Sequence, residues 1–167
     1  MNVIGIVGWK NSGKTTLATA LIRELSSRGL TVNSIKHAHH GVDVDQPGTD
    51  SYKHRDAGAR EVILAGGQRF AIMHELRGAE EPTLDELLAR LGPCDWVVVE
   101  GFKTHLHPKI EVHRQESARA PLYPEDDSII ALVADYVADY VADFPGPVFD
   151  VNNVPAIADF ILSPGTS

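Results

Sequence analysis

Residues 3–25 read VIGIVGWKNSGKTTLATALIREL, and the interpretation of this stretch decides the fold. Within it Gly8, Gly13, Lys14 and Thr15 keep the spacing G-x-x-x-x-G-K-[ST]. The glycines let the backbone fold tightly enough to aim successive N–H groups at the α- and β-phosphates of a nucleotide. Lys14 then reaches the β/γ-phosphates, and the Thr15 hydroxyl is suited to Mg²⁺. Upstream, Val3-Ile4-Gly5-Ile6-Val7 is an uncharged β-branched run, as a buried parallel strand should be. Downstream, Leu17, Ala18, Leu21, Ile22 and Leu25 recur at helical spacing and end near Gly29. A helix there turns its positive dipole end toward the bound anion. A chance glycine turn explains the motif but not the strand and helix on either side of it.

Working outward, residues 31–36 (TVNSIK) read as the second strand of a βαβ unit. The segment HAHHGVDVDQPGTDS is a loop, and residues 50–59 are a short helix capped by Thr49 or Asp50. Residues 61–65 and 69–76 flank Gly66-Gly67 and predict a hairpin. Thr83 and Glu86 form a capping box for a helix carrying Leu84, Leu87, Leu88 and Leu91 on one face. Residues 95–99 (DWVVV) are the most buried-looking strand and deliver Glu100-Gly101 at its end. KIEVH (109–113) alternates and predicts a strand with one wet face. Residues 114–128 read as a surface loop, 129–134 and 148–151 as strands, and 154–162 as a helix capped by Asn152 or Asn153. The repeat ADYVADYVADF (134–144) suits a short helix with Val137, Val141 and Phe144 inward.

The pattern predicts an α/β, three-layer P-loop NTPase domain. Its sheet is mixed and mostly parallel, edged by antiparallel strands at 69–76 and 109–113. The length of 167 residues suits one nucleotide-binding domain over 1–167. A net charge of −8 argues against non-specific nucleic-acid or anionic-membrane binding. Cys94 is the single cysteine, so no intramolecular disulfide forms, which fits a reducing compartment. There is no leader-like pattern and no apolar run of the ~18 residues a membrane span needs, so the expected location is cytoplasmic.

A phosphate loop needs a carboxylate near the metal or the attacking group. Glu100 is the first candidate, because four apolar residues (Trp96 to Val99) place it at the carboxyl edge of a central strand, where α/β sheets bind ligands. The plain alternative is a solvated strand-end acid. Asp43, Asp45 and Asp50 compete for a second place at Mg²⁺, and Asp45 with Gly48 reads D-x-x-G, a short and common pattern. His37, His39 and His40, and His105 with His107, have spacings seen in transition-metal sites. No cysteine joins them, and polar loop histidines are the simpler reading. Lys36, Lys103, Lys109 and Arg114 are cations at strand ends or beside Glu100, able to hold phosphate or simply to face solvent.

GWKNSGKTTL, then KHAHH with Asp43, Asp45, Gly48, Asp50 and Ser51, then VVVEGFK and PKIEV together closely resemble the molybdopterin-guanine dinucleotide biosynthesis protein B family. IIALVAD and VFDVNNV extend the likeness toward the end of the chain. The resemblance implies a GTP- and Mg²⁺-binding homodimer that assists the guanylyltransferase attaching GMP to molybdopterin. It matches Gly8, Asn11, Gly13, Lys14, Thr15 and Thr16 to the family's phosphate loop, and Lys10 and Ser12 within that loop are expected to contact the nucleotide with them. From the residues themselves, Lys36, Lys103 and Lys109 are expected to hold phosphate, of the nucleotide or of a phosphorylated pterin, and Thr15 and Glu100 with one of Asp45 or Asp50 are the expected metal ligands. Lys14 and Glu100 are the expected catalytic pair. Guanine preference would rest on Asp135, whose carboxylate can accept both donors of the guanine edge. No [NT]-K-x-D motif occurs, which disfavours a regulatory GTPase switch. With no arginine inside the motif segments, unaided hydrolysis should be slow. The competing reading is an ATP-dependent kinase or synthetase similar to dethiobiotin synthetase.

Overall fold

The computed structural model describes residues 1–38, 43–114, 119–135, 141 and 143–164. They form two compact units: Met1–His37 with Leu87–Ser167, and Ala38–Glu86.

The larger unit is built on a six-stranded sheet of β1 (Asn2–Val7), β2 (Val32–Lys36), β5 (Trp96–Glu100), β6 (Lys109–His113), β7 (Ile129–Ala134) and β8 (Val148–Asp150). Their order is β2-β5-β1-β6-β7-β8, and every pairing is parallel. The smaller unit holds β3 (Glu61–Ala65) and β4 (Phe70–His74), an antiparallel pair forming its own two-stranded sheet. The α/β class with a mostly parallel strand set is therefore as the sequence predicts.

Two details differ. The antiparallel strands do not edge the main sheet. KIEVH is neither antiparallel nor wet on one side: β6 lies between β1 and β7, and all five of its residues are buried. Its alternation of charged and apolar residues is real, but the charged face meets partners within the protein.

One face of the large sheet carries Ile4, Ile6, Trp96, Val98, Ile110, Val112, Ala131 and Val133, at alternate positions on four strands. Against it pack Leu17, Ala18, Leu21 and Leu25 of α1 (Lys14–Ser27) and Ile157, Ala158 and Ile161 of the last helix, here α4 (Val154–Leu162). Arg28 bonds Glu24 and, at 2.6 Å, Asp159, so the two helix ends are tied at the rim as well. On the opposite face Val7, Ile129, Leu132 and Phe144 form a second cluster with Leu122 and Tyr123.

The local signals were mostly obeyed. Asn153 Oδ1 caps α4 by accepting from Ala156 N. In the smaller unit Thr49 caps α2 (Asp50–Asp56). Thr83 and Glu86 exchange the hydrogen bonds of a capping box at α3 (Leu84–Leu88). Val141 and Phe144 are buried as the repeat predicts, whereas Val137 lies outside the described residues.

Candidate functional site

β1 ends at Val7, and the chain turns through residues 8–13 into α1. Gly13 occupies the N-cap position with φ 94°, and no side chain caps the helix. That backbone is unfavourable for any residue with a Cβ. A Cβ on Gly13 would also stand 3.0 Å from Nη2 and 3.1 Å from Nε of Arg114, so any side chain there must displace that guanidinium. Asn11 has φ 66°, a conformation its short amide side chain tolerates. Asn11, Gly13, Lys14, Thr15 and Thr16 line a cavity of about 360 Å³ at this helix start. Lys10 and Thr16 are exposed, and Ser12 is buried.

Around the cavity the parallel register brings three strand ends together. Ile6 pairs with Glu100, and Lys36 pairs with Glu100 from the other side. The Thr15 hydroxyl donates to Glu100 Oε1 at 2.7 Å. Lys36 Nζ lies 3.3 Å from that carboxylate oxygen and 3.3 Å from Thr15 Oγ1. A hydroxyl and a carboxylate from different elements, touching at the mouth of a phosphate loop, make a hard oxygen donor set of the kind Mg²⁺ takes. Such ions are completed by phosphates and water rather than by a protein cage. Among the described residues no group of three or more His, Cys, Asp or Glu is arranged to hold a metal.

Lys14 Nζ donates to Trp9 O at 2.7 Å. Its pKa is lowered, first by burial and then by Lys103, with Glu100 opposing the shift. Burial also lowers that of Lys103, Glu111 opposing and Arg119 adding to it. Cations packed this closely form a site that an anion would relieve.

Lys109 is different. It is 1% exposed, and its ammonium donates to Lys103 O (2.7 Å), Ser128 Oγ (2.8 Å) and Asp126 Oδ2 (2.9 Å). An ammonium has three N–H bonds, and all three are engaged. Its reading as a phosphate ligand is corrected: Lys109 is an internal fastener.

Asp135 follows β7, and its carboxylate lies 3.5 Å from Nη1 of Arg114, whose Nε donates to Ser12 O at 3.0 Å. Thus Arg114, directly after β6, lies along the phosphate loop. In the smaller unit the Asp45 carboxylate accepts from Arg55 Nε and Nη2. Burial raises the Asp45 pKa, but the hydrogen bonds and charge of Arg55, with further hydrogen bonds from Ser51 and Asp43, together offset this and hold it low. Arg55 also binds Asp43 (2.8 Å) and Glu75 (2.6 Å). Asp50 is exposed in the first turn of α2 and pairs with Lys53 at 3.1 Å.

His39 and His40 lie outside the described residues. The rings of His105 and His107 are 5.4 Å apart, but His107 Nε2 is buried against Gly5, where a Cβ would stand 2.4 Å away. His37 stacks on Phe102 at 4.6 Å.

Trp9 and Arg119 were not selected from the sequence. The indole N–H of Trp9 donates to Ala120 O at 2.7 Å, and Lys103 Nζ and Arg119 Cζ lie 4.3 and 4.6 Å from its ring centroid. An aromatic inside the phosphate-loop motif was the available signal; Arg119 had none, because only folding brings it back to the loop.

A family model described as molybdopterin guanine dinucleotide synthesis protein B matches residues 3–135. The chain is 43% identical over 161 residues to a molybdopterin-guanine dinucleotide biosynthesis adapter protein of Haemophilus influenzae, covering 95% of this chain and 86% of that one. It is 37% identical over 162 residues to the Escherichia coli protein of the same name, covering 96% and 91%. A crystal structure of molybdopterin-guanine biosynthesis protein B superposes with TM-score 0.73 at 29% identity, covering 96% of both chains.

Proposed function

The chain belongs to the molybdopterin guanine dinucleotide synthesis protein B family, and from that premise we propose that it is an adapter in the biosynthesis of molybdopterin guanine dinucleotide. It binds GTP with Mg²⁺ at the phosphate loop and assists a guanylyltransferase that transfers GMP to molybdopterin. The observation that carries this reading is the contact of Thr15, Glu100 and Lys36 at the loop mouth.

In this proposal the backbone of residues 8–13 and Lys14 hold the phosphates, while Lys36 and Lys103 add charge at the rim. Thr15 and Glu100 would hold Mg²⁺, which supplies Lewis-acid polarisation of a phosphate oxygen. Asp135 reads guanine. Glu100 orients the Thr15 hydroxyl and holds Lys36 beside it. Hydrolysis without a partner is slow, on the order of 10⁻⁴–10⁻² s⁻¹. No helix among the described residues is long and apolar enough to cross a membrane, and a cytoplasmic site of action fits the proposed partner.

The protein works as a homodimer. The support is the hairpin β3–β4, whose Ile63, Leu64, Phe70 and Ile72 are each more than half exposed. A lone two-stranded sheet is marginal in water, and apolar residues grouped this way usually meet a partner.

The test combines two measurements: calorimetric titration with Mg-GTP and Mg-ATP, and a guanylyltransferase assay at limiting GTP with and without this protein. GTP preference, loss of binding in Lys14→Ala and stimulation of the transferase are expected. Rapid unaided GTP turnover with no stimulation would overturn the adapter reading.

A further inference from the structure

Trp9 is attached on every side. Its carbonyl accepts from Lys14 and its indole N–H donates to Ala120 O, while Lys103 and Arg119 approach its ring. Arg119 is held there by more than its side chain. His113, 2% exposed, bonds Arg119 O through Nε2 at 3.0 Å, and since a carbonyl only accepts, that nitrogen is the donor. Two positions along β6, buried Glu111 accepts from Leu122 N (2.8 Å) and Tyr123 N (3.0 Å). Two more along, Lys109 fastens Asp126 and Ser128. Alternate residues of one strand thus pin residues 119–128 at three points, and the first of these sets Arg119 against the phosphate loop.

Two cations converging on one ring repel each other. A ring face holds a cation less tightly than a phosphate oxygen does, because the charge-assisted hydrogen bond is the stronger contact. We propose that Lys103 and Arg119, stored over Trp9, are the two arms of a phosphoryl-binding site beside the phosphate loop. The group they take lies beyond those cradled by the loop itself. It is either the terminal phosphate of the bound nucleoside triphosphate or a monoester phosphate of a second ligand. The inference rests on the nucleotide-binding reading above. It also makes Trp9 a reporter, since Lys14 leaves its carbonyl, and the two cations its ring, as phosphates arrive.

The experiment measures GTP and GDP affinity by calorimetry, then titrates inorganic phosphate into the GTP-loaded protein. Wild type, Lys103→Ala, Arg119→Ala, Arg119→Lys and Lys14→Ala are compared, with folding checked by circular dichroism. If the terminal phosphate is the ligand, both alanine variants lower the GTP-to-GDP affinity ratio about tenfold or more, and Arg119→Lys restores part of it. If a second ligand is, that ratio holds and phosphate binding by the GTP-loaded protein is lost in both variants. In either case Trp9→Phe abolishes the ligand-induced change in tryptophan emission. Wild-type ratios and phosphate binding in both alanine variants would overturn the inference. Should Lys14→Ala then still lose GTP, only this inference falls; should Lys14→Ala bind GTP normally, the nucleotide reading falls with it.

Discussion

The hydroxyl of Thr15 donates to Oε1 of Glu100 at 2.7 Å, joining the first turn of α1 to the end of β5. The two residues are 85 positions apart, and only the parallel pairing of β1 with β5 brings them together. The Glu100 side chain is 13% exposed, so its charge acts in a poorly screened place.

Mg²⁺-dependent nucleotide binding should therefore depend on both residues, by different routes. Thr15→Ala removes a donor oxygen and should weaken Mg-GTP binding about tenfold or more, with Thr15→Ser restoring most of it. Glu100→Gln keeps an oxygen for the Thr15 hydroxyl but loses the charge, so the Mg²⁺ concentration for half-maximal GTP binding should rise. Titrating Mg²⁺ at fixed GTP checks this; an unchanged midpoint would reduce Glu100 to a strand-end acid.

His107 predicts an acid-sensitive fold. The ring is 8% exposed, and burial, with Lys109 and His105 adding to it, lowers its pKa from 6.5 to about 4. The unfolded chain thus takes up a proton at this residue below pH 6.5 that the folded protein refuses until about 4. Stability is full above the unfolded value and falls as pH drops through that window, by about 3 kcal/mol in total. His107→Gln should flatten this limb in urea titrations across the range, while a parallel loss in wild type and variant would show that other groups carry it.

Gly13 faces two constraints at once, a φ of 94° and the Arg114 guanidinium 3.0 Å from where a Cβ would stand. Gly13→Ala should cost about 1–2 kcal/mol of stability through the backbone alone and displace Arg114. Mg-GTP binding should fall far more steeply than stability, because the loop N–H groups lose their aim. Adding Arg114→Ala tests the division: it relieves the clash but not the φ, so stability recovers in part and binding does not.

The phosphate loop, βαβ order, capping residues and the strand-end position of Glu100 were legible because each is a local pattern with a local cause. Apolar run, glycine turn and helical period sit next to one another in the chain. What could not be read was pairing between distant residues. KIEVH looked like an edge strand since alternation of charge normally marks a wet face; nothing local says that Asp126, the amides of Leu122 and Tyr123, and the Arg119 carbonyl would meet that face. The same holds for Arg119 and Trp9, which are brought together by those fasteners.

Lys109 gives the sharpest contrast between a ligand cation and a structural one. Its ammonium, 1% exposed, meets Lys103 O, Ser128 Oγ and Asp126 Oδ2 within 2.9 Å. Burial raises the Asp126 pKa, yet Lys109 and Ser128 more than offset this and keep it lowered. Lys109→Met fills similar volume but strands that carboxylate and two further acceptors. Breaking a buried pair costs up to ~5 kcal/mol; with the Asp126 side chain 23% exposed, we expect about 2–4 kcal/mol. Asp126→Asn in the same chain removes the stranded charge and should recover part of the loss, a coupling that urea midpoints of the four proteins measure directly. Mg-GTP affinity of the folded Lys109→Met protein, measured well below its melting temperature, should fall far less than that of Lys14→Ala. An unchanged urea midpoint together with lost GTP affinity would return Lys109 to the ligand.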